Sequence, residues 1–132
     1  MSMEDIAIAL RTDMLAEPSV AEFFGDRIHI DDLPQNPVYP CIRVQVISDY
    51  PMHSQDGTGL GRALIQFNVV SPDRVEAGRM AEVLRSAYDG FRGKVGEFNA
   101  RIFARNLTSD WIENAKVYIR MVEMDIGYVR QT

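Results

Sequence analysis

Sulfur and imidazole are scarce in this chain. Among its 132 residues there is one cysteine, Cys41, and two histidines, His29 and His53. A lone cysteine excludes an internal disulfide and a cysteine-rich zinc site, and it fits a reducing compartment. Positive charge is also short: 14 Lys+Arg stand against 19 Asp+Glu, for a net charge of −5. That balance argues against a protein that wraps nucleic acid by neutralising phosphates, which needs a basic face; a local basic patch remains possible. No apolar run approaches the ~18 residues of a membrane span. The opening "MSMEDIAIALRTDML" is acidic and lacks the basic-then-apolar order of a signal peptide. There is no internal repeat and no low-complexity tract.

What is present is ordinary globular composition, 46% hydrophobic and 25% charged, in a length that suits one domain spanning 1–132. Ser2 with Asp5 has capping-box spacing, and Ile6, Leu10 and Met14 recur on one helical face. Pro18 ends that helix. "SVAEFFG" repeats the capping spacing as a short second helix that Gly25 closes. Ile28–Ile30 is a short strand. "DDLPQNPVYP" fits neither helix nor regular strand, because Pro34, Pro37 and Pro40 remove donors and restrict their predecessors. It reads as an ordered crossover.

Cys41 to Ser48 alternates, with Ile42, Val44 and Val46 on one side and Cys41, Arg43, Gln45 and Ile47 on the other. Leu60 to Val70 does the same, with Ala63, Ile65, Phe67 and Val69 opposite Arg62, Leu64, Gln66 and Asn68. "DYPMHSQDGTGLG" joins them as a flexible hairpin connection. A long helix follows, capped by Ser71 or Asp73. Its apolar stripe is Ala77, Met80, Ala81, Leu84, Ala87, Tyr88 and Phe91, and Gly90 or Gly93 ends it. "FNARIFARNL" alternates, "NLTSDWIENA" reads as a connection, and "KVYIRMVEMDIGYVR" is a strand whose apolar phase changes. Val117, Ile119 and Met121 share one face; Val122, Met124, Ile126 and Tyr128 share the other. Either a bulge near Met121–Val122 switches the register, or the strand is central and uses both faces, the reading favoured here. The fold expected is α+β. It is an antiparallel sheet of about four main strands with helices packed on one face, in the order α, short α, β, β, α, β, β.

Little here carries catalytic chemistry. "HIDD" places His29 with Asp31 and Asp32, but two converging ligands do not make a metal site. Cys41 has no base demanded by spacing and reads as a small buried residue. "DGTGLG" lacks the Lys-Ser/Thr of a phosphate loop and does not lead into a helix. Its best functional reading is contact with a partner. Asn106-Leu107-Thr108 matches a glycosylation sequon that carries no weight without a secretory signal. Trp111 either caps the core or anchors an interface. Arg101, Arg105, Arg120 and Arg130 line the last hairpin, as a solvated face paired with Glu123 and Asp125, or as an interface or channel wall.

Taken together, "GDRIHIDDLPQNPVYPCIRVQVIS", the glycine loop, "RALIQFNVVSPDRVEAGRMAEVLRSAYDGF" and "YIRMVEMDIGY" resemble the tailed-phage tail-completion proteins. These are also called tail terminators or head–tail joining proteins, and relatives occur in gene transfer agents. The resemblance runs from the first helix to Tyr128. Its characteristic parts are Arg27-Ile28 leading to Leu33-Pro34-Gln35, Tyr39-Pro40-Cys41-Ile42, and the strand-to-helix turn Phe67 to Asp73. It implies a structural virion protein with no catalytic residues, no cofactor and no metal, assembled in the bacterial host cytoplasm. It implies a homo-oligomer, a hexameric ring at the head-proximal end of the tail. The ring stops the tail tube, meets a neck or head-completion protein, and lets DNA pass through its lumen without sequence-specific binding. No membrane is involved.

On that reading the Tyr50–Gly61 loop meets a neighbouring ring or tube, through Tyr50, Pro51, Met52, His53, Gln55 and Asp56. Arg62, Gln66, Arg101, Arg105, Trp111 and Arg120 contribute to subunit contacts or the lumen. A neck connector is the near alternative. A small enzyme using His29, Asp31 and Asp32, or a peptide-binding module, are the competing classes.

Overall fold

The computed structural model describes residues 5–52 and 60–130. Helix α1 (Ile6–Ala16) starts at Asp5, whose carboxylate accepts the Ile8 N–H at 2.8 Å. The cap is therefore Asp5, where the sequence suggested Ser2, which lies outside the described residues. Helix α2 is Pro18–Phe24. Pro18 separates the two helices but belongs to the second, as its first-turn proline, with Glu17 as the cap in place of Ser19. Gly25 closes α2 with φ of 55°.

Six strands follow, where the sequence suggested about four main ones. They are β1 (Ile28–Ile30), β2 (Cys41–Met52), β3 (Leu60–Ser71), β4 (Arg92–Val95), β5 (Phe98–Ile112) and β6 (Val117–Arg130), with helix α3 (Arg74–Tyr88) between β3 and β4. They form one sheet in the order β1-β2-β3-β6-β5-β4. All neighbours are antiparallel except β1 and β2, which run parallel.

Asp73, not Ser71, caps α3: its carboxylate accepts the Val75 and Glu76 N–H groups at 2.9 and 3.2 Å. Ser71 braces the same turn, accepting the Asp73 N–H and donating to Glu76. The α3 stripe packs on the sheet, with Ala77, Met80, Ala81, Leu84 and Tyr88 buried. The Tyr88 hydroxyl donates to Asp13 at 2.8 Å, tying α3 to α1. One core joins the three helices to Ile42, Val44, Ala63, Ile65, Phe67, Val69, Ile102, Val122, Met124 and Ile126.

The phase change in β6 is resolved by topology. Its pairing with β3 is continuous from Tyr118 to Val129, with no bulge at Met121–Val122. β6 is central, and both its faces are used. Val122 to Tyr128 face the helices. Val117 faces away, into a small cluster with Cys41 and Val70 that Leu33 and Tyr39 of the proline-rich crossover cover. Bulges occur elsewhere, in β2 between Val46 and Ser48 and in β5 between Ala104 and Asn106.

Two connections are shorter than expected. β2 and β3 stay paired to Met52 and Leu60, so Tyr50, Pro51 and Met52 end a strand. "NLTSDWI" continues β5 instead of turning, which puts Trp111 opposite Tyr118. β4 was unforeseen; it lies where Gly90 (φ 79°) ends the helix region and "GKVGE" turns back.

Gly61 is a steric requirement of the sheet, not a flexible loop residue. It lies opposite Tyr128, whose ring would come within 2.2 Å of an added Cβ. That ring stacks edge-on with Phe98 at 5.2 Å, and its hydroxyl donates to Asp49. Gly61→Ala should therefore destabilise the fold by ~1–3 kcal/mol through overpacking. Gly78→Ala, with nothing within 4 Å of the new Cβ on α3, should stabilise it by ~0.5–1 kcal/mol. Chemical denaturation of the two variants checks both signs.

Candidate functional site

The helices cover one face of the sheet, and most of the other is bare. Cross-strand pairing sorts the bare face into rows. One row runs Tyr50, Arg62, Gly127, Arg101, Arg92. The next runs Ser48, Leu64, Asp125, Phe103; then come Gln45, Gln66, Glu123 and Arg43, Asn68, Met121, Thr108. Arg62, Gln66 and Arg101 are thus brought together on this face, beside Tyr50.

The polar groups of this face are partly engaged with one another. Arg62 grips Asp125 with two bonds of 3.0 and 2.6 Å, and this guanidinium holds the Asp125 carboxyl below its usual range. The Arg101 guanidinium lies 5.9 Å from the Phe103 ring centre. Gln66 donates to Asn68, and Asn68 in turn donates to the Arg43 carbonyl. Arg105 sits at the β5 bulge, still on the Arg101 side, and the alternation shifts after it. It lines a recess of about 240 Å³ with Tyr50, Arg62 and Asp125. A second recess of about 310 Å³ lies between the proline-rich crossover and β6, lined by Tyr39, Arg43, Asn68, Ile112 and Val117.

Trp111 and Arg120 do not belong to this face. They point to the helix side, beyond the start of α3. The Trp111 ring packs on Tyr118 at 4.4 Å and its indole N–H donates to Glu113. Arg120 donates to the Ser109 hydroxyl, while its Nε is buried with no partner among the described residues. His53, Gln55 and Asp56 lie outside the described residues.

The histidine–aspartate cluster does not converge. His29 is paired with Arg43 in the sheet, and Arg43 donates to the Asp31 backbone carbonyl. Among the described residues no group of three or more His, Cys, Asp or Glu side chains is placed to hold a metal. The Arg27 guanidinium donates to the Pro40 and Phe23 carbonyls, tying the far end of the crossover to α2.

A family model described as "Tail completion protein gp17" matches residues 8–111. The chain belongs to this tail completion family. The family is one of structural virion proteins. A chain of the solved structure "Virion of native gene transfer agent (GTA) particle" superposes with a TM-score of 0.65 at 15% identity, over 94% of this chain and 95% of that one. A second solved chain superposes less well, with a TM-score of 0.48 at 17% identity, over 92% of this chain and 96% of that one. No curated protein sequence matches. The family match spans the proline-rich crossover, the β2–β3 hairpin, α3 and nearly all of β5. No helix of the described residues is long and apolar enough to cross a membrane.

Cys41 fits a packing role in this tail completion fold. It is fully buried, and burial pushes its thiol from 9.0 up to about 11, against a smaller opposing pull from Arg27. A thiol-specific reagent should label the native protein slowly at pH 8 and the unfolded protein readily. The thiol is held protonated in the fold, so its contribution to stability is present below pH ~9 and falls away as pH rises through about 11. Denaturation midpoints across pH 8–11, compared with Cys41→Ala, check that sign.

Proposed function

We propose that copies of this chain close a ring, of six subunits, at the head-proximal end of a phage or phage-like tail. The ring caps the tail tube, meets a neck or head-completion protein, and lets DNA pass through its lumen. The observation that carries this reading is the tail completion match over residues 8–111, together with a sheet that leaves one face uncovered by its own helices. A ring grows from heterologous contacts, each copy using two different surfaces. The bare face supports a lumen wall. Its Arg62 is held by Asp125, while Arg101 beside Phe103 and Arg92 in the same row keep their charge, so the wall itself is not what repels phosphate. Repulsion comes from the chain as a whole, through its net charge of −5.

Light scattering of the purified protein should give a multiple of 15.0 kDa, and electron microscopy with tail tubes should place density at one tube end. A strict monomer that never associates with tube ends would sink the reading. Density at the head portal with bare tubes would favour a neck connector instead. Arg62→Glu is expected to leave the melting temperature near wild type, because exposed pairs contribute little. It places two carboxylates side by side on the bare face.

A further inference from the structure

The sheet ends in two unpaired strand edges, one on each side. β1 covers β2 only at Ile42–Val44, so Gln45–Met52 has an open outer edge among the described residues. β4 covers β5 only at Phe98–Arg101. The link before β4 adds bonds from Gly90 and Phe91 to Ile102, and Asp89 takes the Ala104 N–H. Among the described residues the rest of β5, to Ile112, is open. Long open edges are normally blunted, because they pair with other chains.

Which groups face outward follows from the bonds already made. Ile42 donates, and Val44 accepts, on the β1 side. Strand alternation then turns Val46 outward and, past the bulge, Asp49. On β5 Ile102 both donates and accepts outward, so past its bulge the outward set is Leu107, Ser109 and Trp111. The apolar surface coincides with these edges. Of the ten exposed large hydrophobics among the described residues, six are on them: Val46, Ile47, Tyr50, Phe103, Trp111 and Ile112.

We propose that the open edge of β5 in one copy pairs with the open edge of β2 in the next, joining the subunits head to tail in a continuous sheet. This rests on the ring reading above and names its contact. Three features select a second copy as the occupant. The two edges are on opposite sides of one chain, so each supplies what the other lacks. Their polarity fits: β2 opposes β3, β3 opposes β6 and β6 opposes β5, so β5 meets the next β2 antiparallel with the helix sides aligned. Finally, β1 and β4 act as stops. Without an offset, β1 of one copy would collide with its neighbour's β5, because Arg43 and Thr108 lie in the same row. Sliding by about six residues, ~20 Å at ~3.3 Å per residue, clears both stops. Such a stagger tilts the strands, as closing a sheet around an axis requires.

Disulfide trapping in a Cys41→Ala background tests it. Ser48→Cys and Asp110→Cys are placed in separate chains and in one chain, with Tyr50→Cys against Asp110→Cys, two residues further along, as a second register. Neither single variant should cross-link to itself. A mixture of the two should give dimers, and the double variant a ladder ending at the ring. If light scattering still gives the oligomer while both registers fail to cross-link, the edge contact is wrong and the ring stands. Self-cross-linking of a single variant would show a two-fold contact and overturn the proposal. So would cross-links that form only to added tail-tube protein. A monomer that ignores tube ends would remove the ring reading itself.

Discussion

β6 is hydrogen-bonded on both sides along almost its whole length, and the rest of the molecule follows from that position. A central strand must hide both faces. Three helices cover the Val122–Tyr128 side, and only the Val117 end of the other side gains a cover, from Leu33 and Tyr39. The proline-rich crossover is therefore a lid on the sheet's second face. Its rigidity has a use: Arg27 pins its end at Pro40 and holds it to Phe23 of α2, so a short irregular segment can act as a packing layer. The remaining surface of the second face stays open, and so do the two sheet edges flanking it.

Much of this was legible in the sequence where one period held over several residues. The α3 stripe and the Ala63–Val69 alternation each needed only a helical or a two-residue repeat, and both core faces came out as read. The change of phase at Met121–Val122 was informative because strict alternation forbids it unless both faces are used. The failures were places where pairing overrode local preference. "NLTSD" has turn chemistry, yet β6 lies alongside and supplies partners, so the strand runs on to Ile112. β4 is four residues with a glycine inside, too short for any period to register.

The candidate surface was half legible for a related reason. Face assignment by counting works only until a bulge. Arg62, Gln66 and Arg101 lie in bulge-free stretches and share the bare face. Arg105 is the last residue for which counting holds: it is the bulged residue, still beside Arg62 and Asp125, and the alternation shifts after it. Arg120 was grouped by charge, but its position in the ladder beside Ser109 puts it on the helix side. No composition signal carries that information, because the register is set by long-range pairing with β3 and β5.

The same long-range pairing connects stability to assembly. Gly61 accepts the Tyr128 ring, and the Tyr128 hydroxyl reaches across to Asp49. Burial and that acidic neighbour push the Tyr128 phenol upward, so the bond keeps its proton. This three-strand clasp sits at the end of the β2–β3 hairpin and fixes the path of β2 past its bulge. The open edge of β2 is thus held in place by the core, without a neighbour's help. A preorganised edge loses little conformational entropy when it pairs. Residues that look purely structural, Gly61 and Tyr128, therefore set how readily the edge can be extended.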